Sequence, residues 1–312
     1  MTNTGSTTKQ KRSAWARGGR WFPWLLILPS ILIILVIIGF PLIYSLYVSF
    51  TPYELLKPKS LNFEWATAFR NYVKLWNDET FWRSFWNTIL FLAVTVNVEY
   101  ILALALSQLL ARVSHGQGIM RTMLMVPMMF APILVGFQFR WFFNTNLGLV
   151  NNGLIALGLM DEASRINWLV DVPLGMISIM LATIWMNIPV MTIILLAGTL
   201  SLPADVYEAA EVDGASGWQK FRNITFPLLA PFTYIALAIR SLDVARAFDI
   251  VRIMTDGGPA HRTELIWTYV TRLAMEDTKF GLGSAMGWVT VFISLAFTVY
   301  LFRQLIKSRV FQ

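Results

Sequence analysis

Five charged residues recur at steps of three inside an otherwise apolar stretch: Arg240, Asp243, Arg246, Asp249 and Arg252. Other apolar stretches hold Asn97 with Glu99, and Trp185 with Asn187, while Asn144 closes a further one. Charges set in apolar sequence are expensive in lipid, so they face an interior path or pair with one another. Residues three apart on a helix are neighbours and can form ion pairs. The series drifts around the helix, so its five members cannot share one cavity. Most of the five therefore read as a salt-bridged helix end, and Arg240 and Asp243, the deepest, as candidate solute contacts. Asn97, Glu99, Asn144, Trp185 and Asn187 complete the candidate pathway, because a tryptophan face with amide groups suits a polyhydroxylated solute. Interhelical hydrogen bonding is the competing reading for each polar residue, and pairing with an arginine is a further reading for Glu99.

The stretch from Ser201 to Pro227 has a different chemistry. Pro203 suits a first helical position. Asp205 and Glu208 follow early in that helix, where carboxylates meet the positive end of the dipole. Ala209 and Ala210 are strong helix formers without bulk. Asp213-Gly214 then stops the helix with a residue free to take positive φ. Ser216 can cap a second short helix running through Phe221, and Pro227 opens the next apolar run. The result is a helix–turn–helix bracket whose small-residue face invites close contact with another protein. An ordinary amphipathic surface helix is the competing reading. Asp256-Gly257-Gly258-Pro259 reads as a tight turn.

None of these sets is catalytic. There is no cysteine, which removes disulfides, zinc-thiolate sites and thiol chemistry. His115 and His261 stand far apart and in no metal-ligand spacing. There is no G-x-x-x-x-G-K-[S/T] phosphate loop, and Gly116-Gln117-Gly118 is too short to cradle a nucleotide. The chain is therefore expected not to be an enzyme and to carry no cofactor or metal of its own.

The elements that must position these residues are helices in a membrane. Of 312 residues 56% are hydrophobic and only 14% charged, well below the quarter or so typical of soluble domains. The apolar residues fall in continuous runs of about 20 or more, the length needed to cross the hydrocarbon. Such segments must satisfy their own backbone hydrogen bonds, and continuous rather than alternating patterning selects helices over a barrel. The expected fold class is all-α and polytopic, with six transmembrane helices near 24–50, 85–111, 120–143, 172–198, 227–253 and 282–303. Pro127, Pro132 and Pro189 mark expected kinks. The first run is too long for a signal peptide and reads as a retained span.

The expected organisation is a basic, disordered tail over 1–23, a first span over 24–50 and an outer loop over 51–84. A core of five helices over 85–303 follows, with the bracket in 199–226 and a C-terminal segment over 304–312. Placing the tail inside leaves twelve Lys/Arg against four Asp/Glu in the inner segments, and nine against eleven in the outer ones. This asymmetry puts both termini in the cytoplasm. It also explains the net charge of +7 without nucleic acid, and the tail offers cations to anionic lipid.

The bracket resembles a known element. Glu208, Ala209, Ala210, Asp213, Gly214, Ala215, Phe221 and Pro227 match, position for position, the pattern E-A-A-x-x-D-G-A-x-x-x-x-x-F-x-x-x-x-x-P of binding-protein-dependent ABC importer permeases. Phe248-Asp249, Thr255-Asp256-Gly257-Gly258-Pro259-Ala260 and Thr263 are similar to the carbohydrate-uptake branch. So are Leu28-Pro29 and the run Phe40-Pro41-Leu42-Ile43-Tyr44-Ser45-Leu46. Together these cover nearly the whole chain beyond the tail and look most like the first of two paired permeases of maltose or glycerol-3-phosphate type. The large outer insertion of the maltose-type member is missing, since 51–84 is short.

The resemblance implies a type I ABC importer permease fold in a bacterial or archaeal inner membrane. It implies a second permease subunit, two cytoplasmic ATPase subunits carrying ATP and magnesium, and a solute-binding protein that delivers a sugar or sugar-like solute. It makes the bracket the coupling element and Asp256, Gly257, Gly258 and Pro259 a contact for the binding protein. Two alternatives remain. An ion-gradient-driven secondary transporter would need its own ion site and typically inverted repeats, and no internal repeat is visible. The other is a membrane scaffold or sensor that moves no solute.

Overall fold

A computed structural model describes residues 22–307. Residues 1–21 of the tail expected to be disordered and residues 308–312 lie outside the described residues, and the last two residues of that tail, Phe22 and Pro23, are already helical. Among the described residues there is no sheet, only an isolated bridge between Glu54 and Lys57.

The first helix, α1, runs over Trp24–Ser49 with one π-helical turn at Leu35–Gly39. Its best membrane-crossing window has no buried residue at all. Only its end is anchored. There, buried Asn71 of α2 (Arg70–Trp76) donates to the carbonyls of Ser49 and Thr51 at 2.9 and 2.7 Å.

Helix α3 (Glu79–Arg112) begins at Asp78, whose carboxylate accepts from the Thr80 amide at 2.8 Å, satisfying one of the orphan donors of a helix start. Helices α4 (Gln117–Met129) and α5 (Pro132–Phe142) together make up the third apolar run. The fourth run is α7 (Leu174–Leu200), reached through a short helix, α6 (Leu149–Ala156). Helices α3 and α7 pack along each other, and α7 is the most enclosed of the long helices. Phe91, Ile179, Met191 and Leu195 are fully buried between them and their neighbours.

Two expected spans are not straight. Helices α4 and α5 meet at 89°. The cause is legible locally: Pro132 forces Ala131 out of the helical region, to φ −65°, ψ 140°. The bracket follows as α8 (Ala204–Val212) and α9 (Gly217–Leu228), and α9 meets α10 (Ala230–Ala245) at 63°. The expected fifth span, 227–253, is therefore broken twice. Its helix ends at Ala245 and restarts as α11 (Asp249–Met254). Helix α12 (Ile266–Thr271) leads to the last long helix, α13 (Phe280–Lys307).

Among the described residues four helices are long and apolar enough to cross a membrane, or up to six if each bent pair counts as one span.

Candidate functional site

Three sets of candidate residues lie in different parts of the molecule. The bracket is built by local hydrogen bonds. Asp213 ends α8, and Gly214 follows at φ 73°. The Gly214 amide donates to the Glu211 carbonyl at 3.0 Å and the Ala215 amide to the Ala210 carbonyl at 2.9 Å. This paired closure is the Schellman motif, which needs a left-handed residue at the position Gly214 occupies. Ser216 then caps α9 reciprocally: the Gln219 amide donates to Ser216 Oγ at 3.3 Å, and the Ser216 amide donates to Gln219 Oε1 at 2.7 Å.

Contacts missed by sequence reasoning close the bracket. Lys220 Nζ holds Glu211 Oε1 at 2.8 Å across the turn. That hydrogen-bonded ammonium keeps the Glu211 carboxyl below the usual carboxylate range. Tyr207 and Thr225 share a hydroxyl hydrogen bond of 2.8 Å. Lys220 lies nine residues from Glu211, and Thr225 eighteen from Tyr207, beyond any helical spacing, so only the folded turn reveals them. Phe221 stacks on Trp218, with ring centroids 5.5 Å apart. Glu208, Ala209, Val212 and Trp218 are exposed, so among the described residues the bracket presents an apolar tip that no element outside the bracket covers. No hydrogen bond or ion pair among the described residues engages the Glu208 side chain.

The second set lies inside the helix bundle. Glu99 on α3 and Arg240 on α10 are both buried and meet in a two-pronged pair, Nε to Oε2 at 2.8 Å and Nη2 to Oε1 at 3.0 Å. Arg240 also reaches Asp243 at 3.4 Å, and Asp243 is shared with Arg246 at 3.1 Å. Parallel N–H···O bonds of this kind fix geometry as well as charge. In front of the pair is a cleft of about 200 Å³ lined by Thr183, Asn187, Arg240, Asp243, Arg246 and Asp249 among others.

The structure therefore brings Asn187, Arg240 and Asp243 together, with Glu99 directly behind them. It does not bring in the rest. Asn97 is exposed and donates to the Ala93 carbonyl of its own helix at 2.7 Å. Asn144 forms a turn, accepting from the Asn146 and Leu147 amides at 3.0 and 2.9 Å. Trp185 packs on Phe139, centroids 5.5 Å apart. The regular series of five charges does not share one helix either. Arg240 and Asp243 lie on α10, Arg246 caps its end, and Asp249 and Arg252 lie on α11.

The third set is the loop after α11. Asp256 pairs with Arg252 and Arg272. Gly257, at φ 73°, is buried against the Glu264 carboxylate, where a Cβ would lie 2.4 Å from Oε2. Thr263 Oγ1 donates to the Gly258 carbonyl at 2.8 Å. Arg83 and Asn87 of α3 donate to the Ala260 carbonyl at 2.9 Å and the Arg262 carbonyl at 3.0 Å. The turn is thus fastened to the start of α3, with Pro259 exposed at its tip.

Residues 19–312 match the family described as "Binding-protein-dependent transport system inner membrane component". The chain belongs to that family. It is a permease subunit of an ABC importer, a multi-pass inner-membrane component and a transport rather than a catalytic subunit. The family member is 33% identical over 279 residues to the trehalose/maltose transport system permease protein MalF of Thermococcus litoralis, covering 88% of this chain and 90% of that one. It is 33% identical over 285 residues to the sulfoquinovosyl glycerol transport system permease protein SmoG of Agrobacterium fabrum, covering 91% and 90%. Among solved structures, a bacterial ABC transporter that imports the acidic polysaccharide alginate shares its fold. The TM-score is 0.80 at 22% identity, over 96% of this chain and 99% of that chain.

Proposed function

We propose that this permease forms, with a second permease subunit, the pathway for a sugar or sugar-like solute delivered by a binding protein. ATP and magnesium act on two partner ATPase subunits, and both termini face the cytoplasm. The bracket from Glu208 to Pro227 seats in the ATPase and carries its motion to the helices. Asn187, Arg240 and Asp243 line the solute path, and Asp256 to Pro259 meet the binding protein outside. The sugar class is supported by the names of the relatives and by the polar cleft beside the Glu99–Arg240 pair.

The observation that carries the coupling role is the exposed apolar tip of a rigidly capped bracket: Val212 is 89% and Trp218 68% exposed. Apolar side chains held at a fixed angle in water mark an interaction site. An importer works only if its ligands favour one global state over another, and a stiff bracket transmits such a difference.

The test is Ala209→Trp and Gly214→Leu in the assembled importer. Ala209 is exposed, so the added ring meets a partner and not this chain. The expected outcome is intact membrane insertion with loss of ATP-driven uptake. Wild-type uptake and wild-type stimulated ATPase in both variants would refute the role. Cysteine labelling of an introduced Ser201→Cys from each side of sealed vesicles tests the orientation.

A further inference from the structure

The bracket does not close flush against the helices above it. A cleft of about 350 Å³ separates it from the ends of α3 and α7, lined by Gln108, Arg112, Thr199, Tyr207, Lys220 and Thr225 among others. No acidic residue lines it. Most of its polar groups are already engaged. Gln108 Nε2 donates to Thr199 Oγ1 at 2.9 Å, Tyr207 is hydrogen-bonded to Thr225, and Lys220 holds Glu211. Arg112 differs. Among the described residues no carboxylate lies within 4.0 Å of its guanidinium, and it makes no side-chain hydrogen bond. A cation without a counter-ion therefore lines a recess with no acid among its lining residues, together with Lys220, whose ammonium has further donors beyond the one held by Glu211. The cleft has room for on the order of ten waters, enough for a hydrated phosphate group.

Its position selects the kind of anion. Arg112 ends α3, a helix long and apolar enough to cross the bilayer, and it directly follows the apolar run Leu109-Leu110-Ala111, so with α3 spanning, the cleft falls at the membrane–water boundary. Lipid phosphates reside at that depth, and basic pockets between helix ends on the cytoplasmic side hold anionic headgroups. Arginine adds a planar fork that matches phosphate oxygens.

We propose that this cleft binds a phosphate-bearing anion through Arg112 and Lys220, with the headgroup of an anionic phospholipid as its source. Tyr207 and Lys220 belong to the bracket, whereas Gln108, Arg112 and Thr199 belong to the helix ends. A bound phosphate therefore bridges the moving element to the helices it must move. Membrane anionic lipid would then set how tightly ATP hydrolysis is coupled. This regulation rests on the cytoplasmic, coupling reading of the bracket, but the binding itself does not.

The test uses the complete importer in nanodiscs of phosphatidylcholine alone and of phosphatidylcholine mixed with phosphatidylglycerol. Native mass spectrometry counts the phosphatidylglycerol retained on the complex, without ATP, so the result stands whether or not the bracket couples. Wild type should retain phosphatidylglycerol over phosphatidylcholine. Arg112→Gln should weaken that retention about five-fold, the effect of one basic group near an anionic surface, and Arg112→Lys should recover most of it. Arg112 is exposed, and co-elution of all subunits confirms assembly of each variant. Inorganic phosphate added to the phosphatidylcholine discs separates the sources. If it binds in an Arg112-dependent way and displaces phosphatidylglycerol, the phosphate site stands and its physiological ligand is soluble. Equal retention of the two lipids by wild type with no phosphate binding, or undiminished retention by Arg112→Gln, overturns the proposal.

Discussion

The bracket and the Glu99–Arg240 pair are both polar structures in an apolar protein, yet they are built in opposite ways. The bonds that shape the bracket turn span a few residues, its two cross-links span only nine and eighteen, and most of its side chains face water. Glu99 and Arg240 are separated by 141 residues in sequence and are both buried, with only Arg240 reaching the edge of the cleft. The contrast shows how position constrains function. A part that must dock on another protein can be encoded locally and left open. A charge held inside the bundle must be balanced by a partner from a distant helix, because an unpaired buried ion costs several kcal/mol.

The sharpest test of that contrast is to remove one charge. Glu99→Gln leaves Arg240 buried without its carboxylate, and loss of one partner from a buried pair costs about 3–5 kcal/mol. The purified complex should show a large fall in thermal stability, whereas the double variant Glu99→Leu, Arg240→Met should recover much of it. Equal loss in the double variant would mean that packing, not charge balance, sets the cost.

Gly257→Ala should come next. The position combines a left-handed backbone, which costs a residue with a Cβ about 1–2 kcal/mol, with a clash against Glu264. The expected effect is weakened stimulation of ATPase by the binding protein, with basal ATPase retained.

Ser216→Ala removes one half of the reciprocal cap and should cost about 1 kcal/mol of local order. Hydrogen exchange should rise in 214–221 and stay unchanged around Glu99. A rise in both regions would erase the distinction between local and non-local construction.

Acid should act least. The folded-state pKa of Glu211 is lowered by Lys220, so their bridge stabilises the bracket above the ordinary value of 4.5 and is lost as pH falls through the depressed one. Trp218 fluorescence is therefore expected to be flat from neutral pH down to that ordinary value and to change only below it. Glu211→Gln should be insensitive throughout.

The same division explains what could be read from residues alone. Gly214 and Ser216 announce the turn and cap because their partners lie within a few positions. The bend at Pro132 was signalled by the proline itself. The break after Ala245 carries no proline or glycine between Arg246 and Phe248, and no local pattern predicts it. Glu99 stood out as a charge in an apolar run, but periodicity cannot say which of several arginines it meets. Asn97, Asn144 and Trp185 have the same residue types as a binding site, yet each satisfies itself locally or packs on an aromatic neighbour. Gly257 resembles any turn glycine until Glu264 is seen filling the space beside it.

The exposed flank of α1 has an evolutionary consequence. With every residue from Trp24 to Ile38 exposed, selection along that stretch can act on solubility in lipid instead of on shape. Leu, Ile and Val should interchange there with little penalty to the folding of this polypeptide. The constraint tightens from Ser45 and Leu46 to the buried Val48 and Ser49, where the helix is moored, so tolerance to substitution should fall steeply within a turn or two.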